Sequence, residues 1–344
     1  MTLIYFILVL SITIFVHELG HFIFAKRAGI YVYEFCVGMG PRIFKFKRKN
    51  DETEYGIRLF PIGGFCSMAG ESVEVDDKVP EDRRLQSKTW LQKFLTVVAG
   101  VMFNFIFAII IFFIVGLING NPDTTPLIKE VSVDYPAYVS GLKENDIVVG
   151  VNGVKVNTIS EFQMETIISE GKDLTLTVLR GEEKLDITIT PIEENGDYIW
   201  GFVKGSSGNS ETGFVAAIKY AFTHFFGLIK EMWIVISYLV TGKLSLSSLS
   251  GPIGIYNVVG QEAKYGLLNI VHLIGYLSVN VGFINLLPIP AFDGGRILFL
   301  IIEKIKGKPI DPKVENVIHS IGFVLLMILM IVITFNDILR FIIK

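Results

Sequence analysis

Apolar positions in this chain come in long unbroken runs, and those runs set its outline. Thr2–Ala25, Phe94–Ile118, Leu267–Leu287 and Ile318–Phe335 are each close to the ~20 residues a helix needs to cross a bilayer. A further run, Phe214–Val240, is apolar and helical but carries Lys219, Lys230 and Glu231, the pattern of a helix lying at the interface. The first run has no basic segment before it and no small-residue cleavage site after it. It is therefore expected to stay as a membrane helix and not to be removed as a signal peptide. Between the runs the period changes. Ile43–Lys47 and Tyr55–Phe60 alternate around Lys49-Asn50-Asp51, which predicts a hairpin. Gly38, Gly40-Pro41 and Pro61–Gly64 read as turns that bracket it. Farther on come short alternating stretches, Leu127–Val133, Ile147–Val151, Leu174–Leu179 and Leu185–Thr190, with a helical segment at Ile159–Ser169. They predict a small β-rich domain, and Gly205–Gly213 reads as the linker that follows it.

The expected fold is a polytopic α-helical membrane protein of about four transmembrane helices, with a membrane-associated β-hairpin and an inserted β-rich domain. Residues 1–118 form a membrane core with the hairpin and second span, and 119–205 the β-rich domain. Residues 206–265 are linker and interfacial helix, and 266–344 complete the membrane core. Composition agrees. The 344 residues are 51% hydrophobic and 19% charged, with a mean hydropathy of +0.53, whereas a soluble domain carries about a quarter charged residues. A formal net charge of −3 excludes a nucleic-acid binder driven by bulk charge. Two cysteines, Cys36 and Cys66, exclude a disulfide scaffold and read as reduced thiols.

One motif changes the picture. His17-Glu18-Leu19-Gly20-His21 lies inside the first apolar run. On a helix, positions i and i+4 share a face, so two imidazoles can hold one zinc ion while Glu18 activates a zinc-bound water. Ionisable groups inside a membrane helix are costly and usually serve a function. A catalytic zinc takes three protein ligands and keeps one position for water. Asp293 is the leading candidate for the third ligand, because it follows Pro288-Ile289-Pro290 at the end of an apolar run and precedes two glycines. Two alternatives stay open: Asp293 as a helix cap or a partner of Arg296, and His272 as the ligand.

Charge sets the topology. Lys26, Arg27, Arg42, Lys45, Lys47, Arg48 and Lys49 follow the first span, and Arg83, Arg84, Lys88 and Lys93 precede the second. The positive-inside rule places residues 26–93 in the cytosol and the β-rich domain outside the cytoplasm. His17 and His21 then lie toward the cytosolic end of their span. Asp293 reaches the same depth if Phe214–Val240 stays at the interface and does not cross.

The motifs together resemble the site-2 protease family, in its bacterial branch of sigma-factor (sigma-E) regulators. The resemblance rests on His17–His21, on Asn285–Gly295, on Gly38–Pro41 and Pro61–Phe65, on Ser250–Ile255, and on the β-rich insert. It departs from the usual pattern at Phe292 before Asp293, at Val101 after Gly100, and at Asn145 before Asp146. The resemblance implies an intramembrane zinc metalloprotease of the cell membrane, with one zinc per chain and an extracytoplasmic PDZ domain. It implies cleavage within the spanning segments of single-pass membrane proteins, such as anti-sigma factors or signal-peptide remnants, after a site-1 protease has shed their outer part. By motif position His17, His21 and Asp293 are the zinc ligands and Glu18 the general base; Asn104 and Asn285 are expected to contact substrate. The competing readings are a non-proteolytic membrane PDZ scaffold with a structural zinc, and a metal-dependent hydrolase of lipids.

Overall fold

A computed structural model describes residues 1–71, 78–169, 171–194 and 197–341. The chain divides into two compact units, one of Met1–Val115, Ala221–Trp233 and the residues from Ser245 onward, the other of Gly116–Tyr220 and Ile234–Leu244.

The first unit begins with α1 (Thr2–Arg27), which ends at Gly29 with φ +68°. A hairpin follows, β1 (Val32–Lys47) and β2 (Glu54–Met68). It is longer than the alternation predicts. Gly38, Gly40 and Gly63, which read as turns, have φ of +90°, +83° and +91° and lie where the chain reverses: Glu34–Val37 pair with both Gly64–Ser67 and Glu54–Ile57, and Glu54–Ile57 also pair with Phe44–Lys47. The hairpin is thus folded back on itself at the glycines, as the turn reading expects. The half of the hairpin nearest α1 is buried, with Phe35 against Phe15 and Phe22 at 5.7 and 4.7 Å between ring centroids. The far half exposes Ile43, Phe44 and Phe46. Of the polar stretch from Glu71 to Lys93, residues 72–77 lie outside the described part. Next comes α2 (Trp90–Asn119), whose first part belongs to this unit.

The second unit is β-rich. Its elements are β3 (Asn121–Pro122), β4 (Leu127–Val131), α3 (Pro136–Val139), β5 (Ile147–Val151), β6 (Val154–Lys155) and α4 (Ile159–Ile168). There follow β7 (Leu174–Arg180), β8 (Glu183–Ile189), β9 (Ile192–Glu194), β10 (Asp197–Ile199), β11 (Phe202–Gly205) and β12 (Ser210–Glu211). An antiparallel sheet runs in the order β11-β4-β5-β7-β8, with β6 on β5. Ile128, Val148, Phe162, Leu174, Leu176 and Ile189 are fully buried in its core. Thr158 caps α4, its hydroxyl accepting from the Glu161 N–H at 3.2 Å, the exchange that favours Thr at this position. The expected linker at 205–213 contains β12, which pairs with β3. Both ends of α5 (Phe214–Val240) belong to this unit, and the Tyr238 hydroxyl donates to Glu165 at 2.5 Å.

The first unit resumes with α6 (Pro252–Glu262), α7 (Leu267–Leu286), α8 (Asp293–Lys306) and α9 (Pro312–Phe341). The Ser/Gly-rich stretch around Ser250–Ile255 is thus a helix start. It is held by the buried Asp337 of α9, whose Oδ2 accepts from the Gly254 N–H at 2.8 Å, a carboxylate at the positive end of a helix.

Contacts give the helix directions within this unit. His21 meets Thr96 while His17 meets Asn104, so α1 and α2 are antiparallel. A Cβ on Gly275 would come within 2.8 Å of Phe112, and one on Gly282 within 2.6 Å of Phe105, so α7 is antiparallel to α2 and parallel to α1. His319 meets the turn after α7 while Asp337 meets α6, so α9 returns. Five helices among the described residues are long and apolar enough to cross a membrane: α1, α2, α5, α7 and α9. About four were expected, and α5 is the addition.

Candidate metal centre and its cavity

His17 and His21 stand one turn apart on the buried face of α1, their ring centroids 4.8 Å apart and their planes at 82°. The two Nε2 atoms are 3.2 Å apart. Asp293 Oδ2 lies 3.0 Å from His17 Nε2 and 3.3 Å from His21 Nε2. Among the described residues this is the group of metal-ligating side chains that converges on a point.

The spacing fits a zinc ion. Bonds of about 2.0–2.2 Å at tetrahedral angles separate neighbouring ligand atoms by roughly 3.3–3.6 Å. The protonation pattern fits as well. His21 Nδ1 lies 2.9 Å from the Thr96 carbonyl oxygen, which can only accept, so the ring proton sits on Nδ1 and Nε2 presents a lone pair. Asp293 Oδ2 is buried and lacks a hydrogen-bond partner among the described residues. Buried acceptors turned toward one another repel unless a cation stands between them.

Small residues make this approach possible. A Cβ on Gly100 would strike His21 Nε2 and come within 2.8 Å of His17 Cε1. At Gly20, a Cβ would collide with the Ala99 backbone. α2 can therefore pass directly across the imidazoles. On the other side, Gly294 and Gly295 lie against the carbonyls of Leu287 and Ile289, so that α8 starts tightly under the preceding turn. Asp293 is the first residue of that helix, and Phe292 holds the cap position. Arg296 pairs with Glu71 at 2.6 Å.

Glu18 faces the same cavity of about 560 Å³, which His319, Asn285 and Cys66 also line. The Cys66 N–H donates to Glu18 Oε2 at 3.0 Å, so β2 of the hairpin orients the glutamate. Burial, with Glu18 and Glu71 adding to it, pushes the Cys66 thiol above its ordinary range. Cys36 is buried elsewhere, donating to Glu34 at 2.8 Å. Asn285 donates to the Val281 carbonyl at 3.0 Å. Asn104 is fully buried against His17, its amide nitrogen 3.4 Å from Nδ1. His272 is away from the centre, its Nε2 3.0 Å from that of His224, beside Phe112. Sequence reasoning missed the contributions of Thr96, Cys66, Glu71 and His319, because none of them sits in a recognisable motif.

The chain matches Peptidase family M50 over residues 5–329. It is 34% identical to the regulator of sigma-W protease RasP of Bacillus subtilis (strain 168), over 98% of both chains. It is 37% identical to a putative zinc metalloprotease of Clostridium perfringens (strain 13 / Type A), over 98% of this chain and 99% of that one. To the zinc metalloprotease RasP of Geobacillus kaustophilus (strain HTA426) it is 32% identical, over 99% of this chain and 98% of that one.

Proposed function

The chain belongs to Peptidase family M50, the site-2 proteases, and is a membrane zinc metalloprotease of regulated intramembrane proteolysis; from that premise we propose that one zinc ion per chain is held by His17, His21 and Asp293, with Glu18 as general base. The observation that carries this reading is the meeting of His17 Nε2, His21 Nε2 and Asp293 Oδ2 at 3.0–3.3 Å on the wall of the cavity that Glu18 faces. A structural zinc is normally closed by four protein ligands, which favours a protease over a scaffold.

When bound, zinc supplies a Lewis acid that lowers the pKa of water toward ~7 and polarises a carbonyl. The remaining chemistry belongs to the chain. The Glu18 carboxylate, steadied at Oε2 by Cys66, takes the proton of the attacking water and delivers it to the departing amide nitrogen. Asn285 supplies a polar edge to the cavity for the substrate backbone. A membrane helix hides its carbonyls in its own hydrogen bonds, so a substrate span must unwind locally before it fits. The substrates are single-pass membrane proteins such as anti-sigma factors, first trimmed by a site-1 protease. The β-rich unit acts as an extracytoplasmic PDZ domain. Its antiparallel sheet and α4 support that reading.

The charges Lys219, Lys230 and Glu231 along α5 support an interfacial reading, while its contacts, Phe225 on Phe105, His224 on His272 and Trp233 on Phe283, run along α2 and α7. With α1 and α7 parallel and α2 opposed to both, the end of α2 and the start of α7 lie on one side. A crossing by α5 would need a return. The 11-residue α6, about 16 Å long at 1.5 Å per residue, is too short to make one. On this reading four spans cross the cell membrane, and the basic residues at 26–49 and 83–93 support an active site toward the cytosol.

The test is cleavage by the purified chain in lipid of a tagged single-pass helix without its outer domain, wild type against Glu18→Gln, with zinc content measured on both. Product from wild type alone, cut inside the span, with one zinc on each protein, is the expected result. Equal product from both removes Glu18 from its role. A substrate that keeps its outer domain should be cut more slowly.

A further inference from the structure

We propose that His319 of α9 is a positioning residue for the metal centre: it holds the strained turn at Ala291 that presents Asp293. The proposal rests on the reading of His17, His21 and Asp293 as the zinc ligands.

The two ring nitrogens of His319 are not equivalent. The Ala291 N–H lies 3.1 Å from Nδ1. A backbone N–H can only donate, so Nδ1 carries the lone pair and the neutral ring keeps its proton on Nε2. Nε2 is buried without a hydrogen-bond partner among the described residues. The Glu315 carboxylate stands 4.0 Å from it, one turn earlier on the same helix. A negative charge on that side favours the Nε2–H tautomer, and so keeps Nδ1 free to accept.

The backbone it grips is unusual. Ala291 has φ +87°, a region that residues with a Cβ avoid and occupy only when their surroundings enforce it. Ala291 stands two residues before Asp293. α9 addresses this turn twice. His319 and Gly322, three apart and so on one face, both meet Pro290-Ala291, and a Cβ on Gly322 would come within 2.7 Å of the Pro290 carbonyl carbon. Gly322 lets the helix close onto the turn and His319 ties the turn down. If the tie is cut, Ala291 relaxes to negative φ. Asp293 Oδ2 then swings out of its 3.0 Å approach to His17.

Glycine tolerates this φ without strain, so Ala291→Gly should make the tie dispensable. The experiment measures zinc affinity of the full chain in detergent by competition with a chromophoric chelator, and kcat and KM on a single-pass helix substrate. His319→Phe should weaken zinc about 10–100-fold, the range typical of lost outer-shell partners, and lower kcat with KM unchanged. His319→Asn, whose Oδ1 can stand in for Nδ1, should stay within about threefold of wild type. The double variant His319→Phe/Ala291→Gly should recover most of the loss. His319→Gln, which sets no acceptor at the Nδ1 position, replaces His319→Phe if the latter does not fold. Wild-type zinc affinity in His319→Phe, or no recovery in the double variant, overturns the proposal. If zinc binding in wild type is indifferent to His21→Ala and Asp293→Ala, the reading of the metal centre itself fails instead.

Discussion

Asn104 has surroundings that its place in the sequence does not announce. As a lone polar residue in an apolar run it invites a substrate-binding reading. In the fold it is fully buried against His17, with Nδ2 3.4 Å from Nδ1 and Oδ1 lacking a partner among the described residues. Turning the amide by half a turn sets Oδ1 where it accepts from His17 Nδ1–H. His17 gains the tautomer that Thr96 imposes on His21. Asn104→Leu should therefore weaken zinc binding about 10–100-fold, while Asn104→Asp, which keeps an acceptor there, should bind zinc at least as tightly as wild type. Chelator competition distinguishes the two, and equal affinity in Asn104→Leu removes the residue from the centre. The histidine pair was legible because its spacing is local and set by helix geometry. The face of α2 that meets it was not. Gly100, whose missing Cβ admits the imidazoles, looks like any other glycine in an apolar run.

Elements were legible where period or length decides them. α1, α2 and α7 follow their apolar runs, and the strands at 127–131, 147–151, 174–180 and 183–189 follow alternation. Glycine is harder to read than period or length. A glycine with positive φ serves a turn, a bulge or a helix end, and a sequence does not say which. Gly38, Gly40 and Gly63 lie at reversals of the chain, as they read in the sequence, whereas Gly251, with φ −91°, caps a helix seated on Asp337. α5 is the element with most at stake, being the least apolar of the five long helices. At about 40 Å, its 27 residues are long enough to span. Single cysteines at Ser210 and at Lys243, in a chain lacking Cys36 and Cys66, decide the matter with a membrane-impermeant maleimide on oriented vesicles. Labelling of both from the same side is expected, and labelling from opposite sides makes α5 a fifth span.

At the scale of the molecule, the centre joins segments far apart in the chain. His17 and His21 come from α1, Asp293 from the start of α8, and its backing from α9. An ion that binds the folded state stabilises it by about 2.7 kcal/mol at 100 times its Kd. Chelation should accordingly lower the thermal midpoint of wild type and leave Asp293→Ala unmoved. A zinc effect that survives Asp293→Ala would assign the ion to another place. His224 and His272 sit together at 3.0 Å beside Phe112, apart from the centre. Counting histidines alone does not separate the two pairs. Asp293 was singled out by an awkwardly placed carboxylate after a helix-breaking Pro-x-Pro, whereas the contact of α9 with the turn before it depends on packing that no local pattern announces.

The order in which those segments leave the ribosome has a biological consequence. About 270 residues separate His21 from Asp293. At some 5–20 residues per second, synthesis takes roughly 15–55 s to cover that stretch. Throughout that interval the first span is already available to the bilayer with its histidines and glutamate but without its third ligand. The nascent chain shares the membrane with its own potential targets and cannot yet cut them. If Asp293 completes the metal site, proteolytic competence arrives only with the last segments, and a chain that stalls before them should not cleave its neighbours.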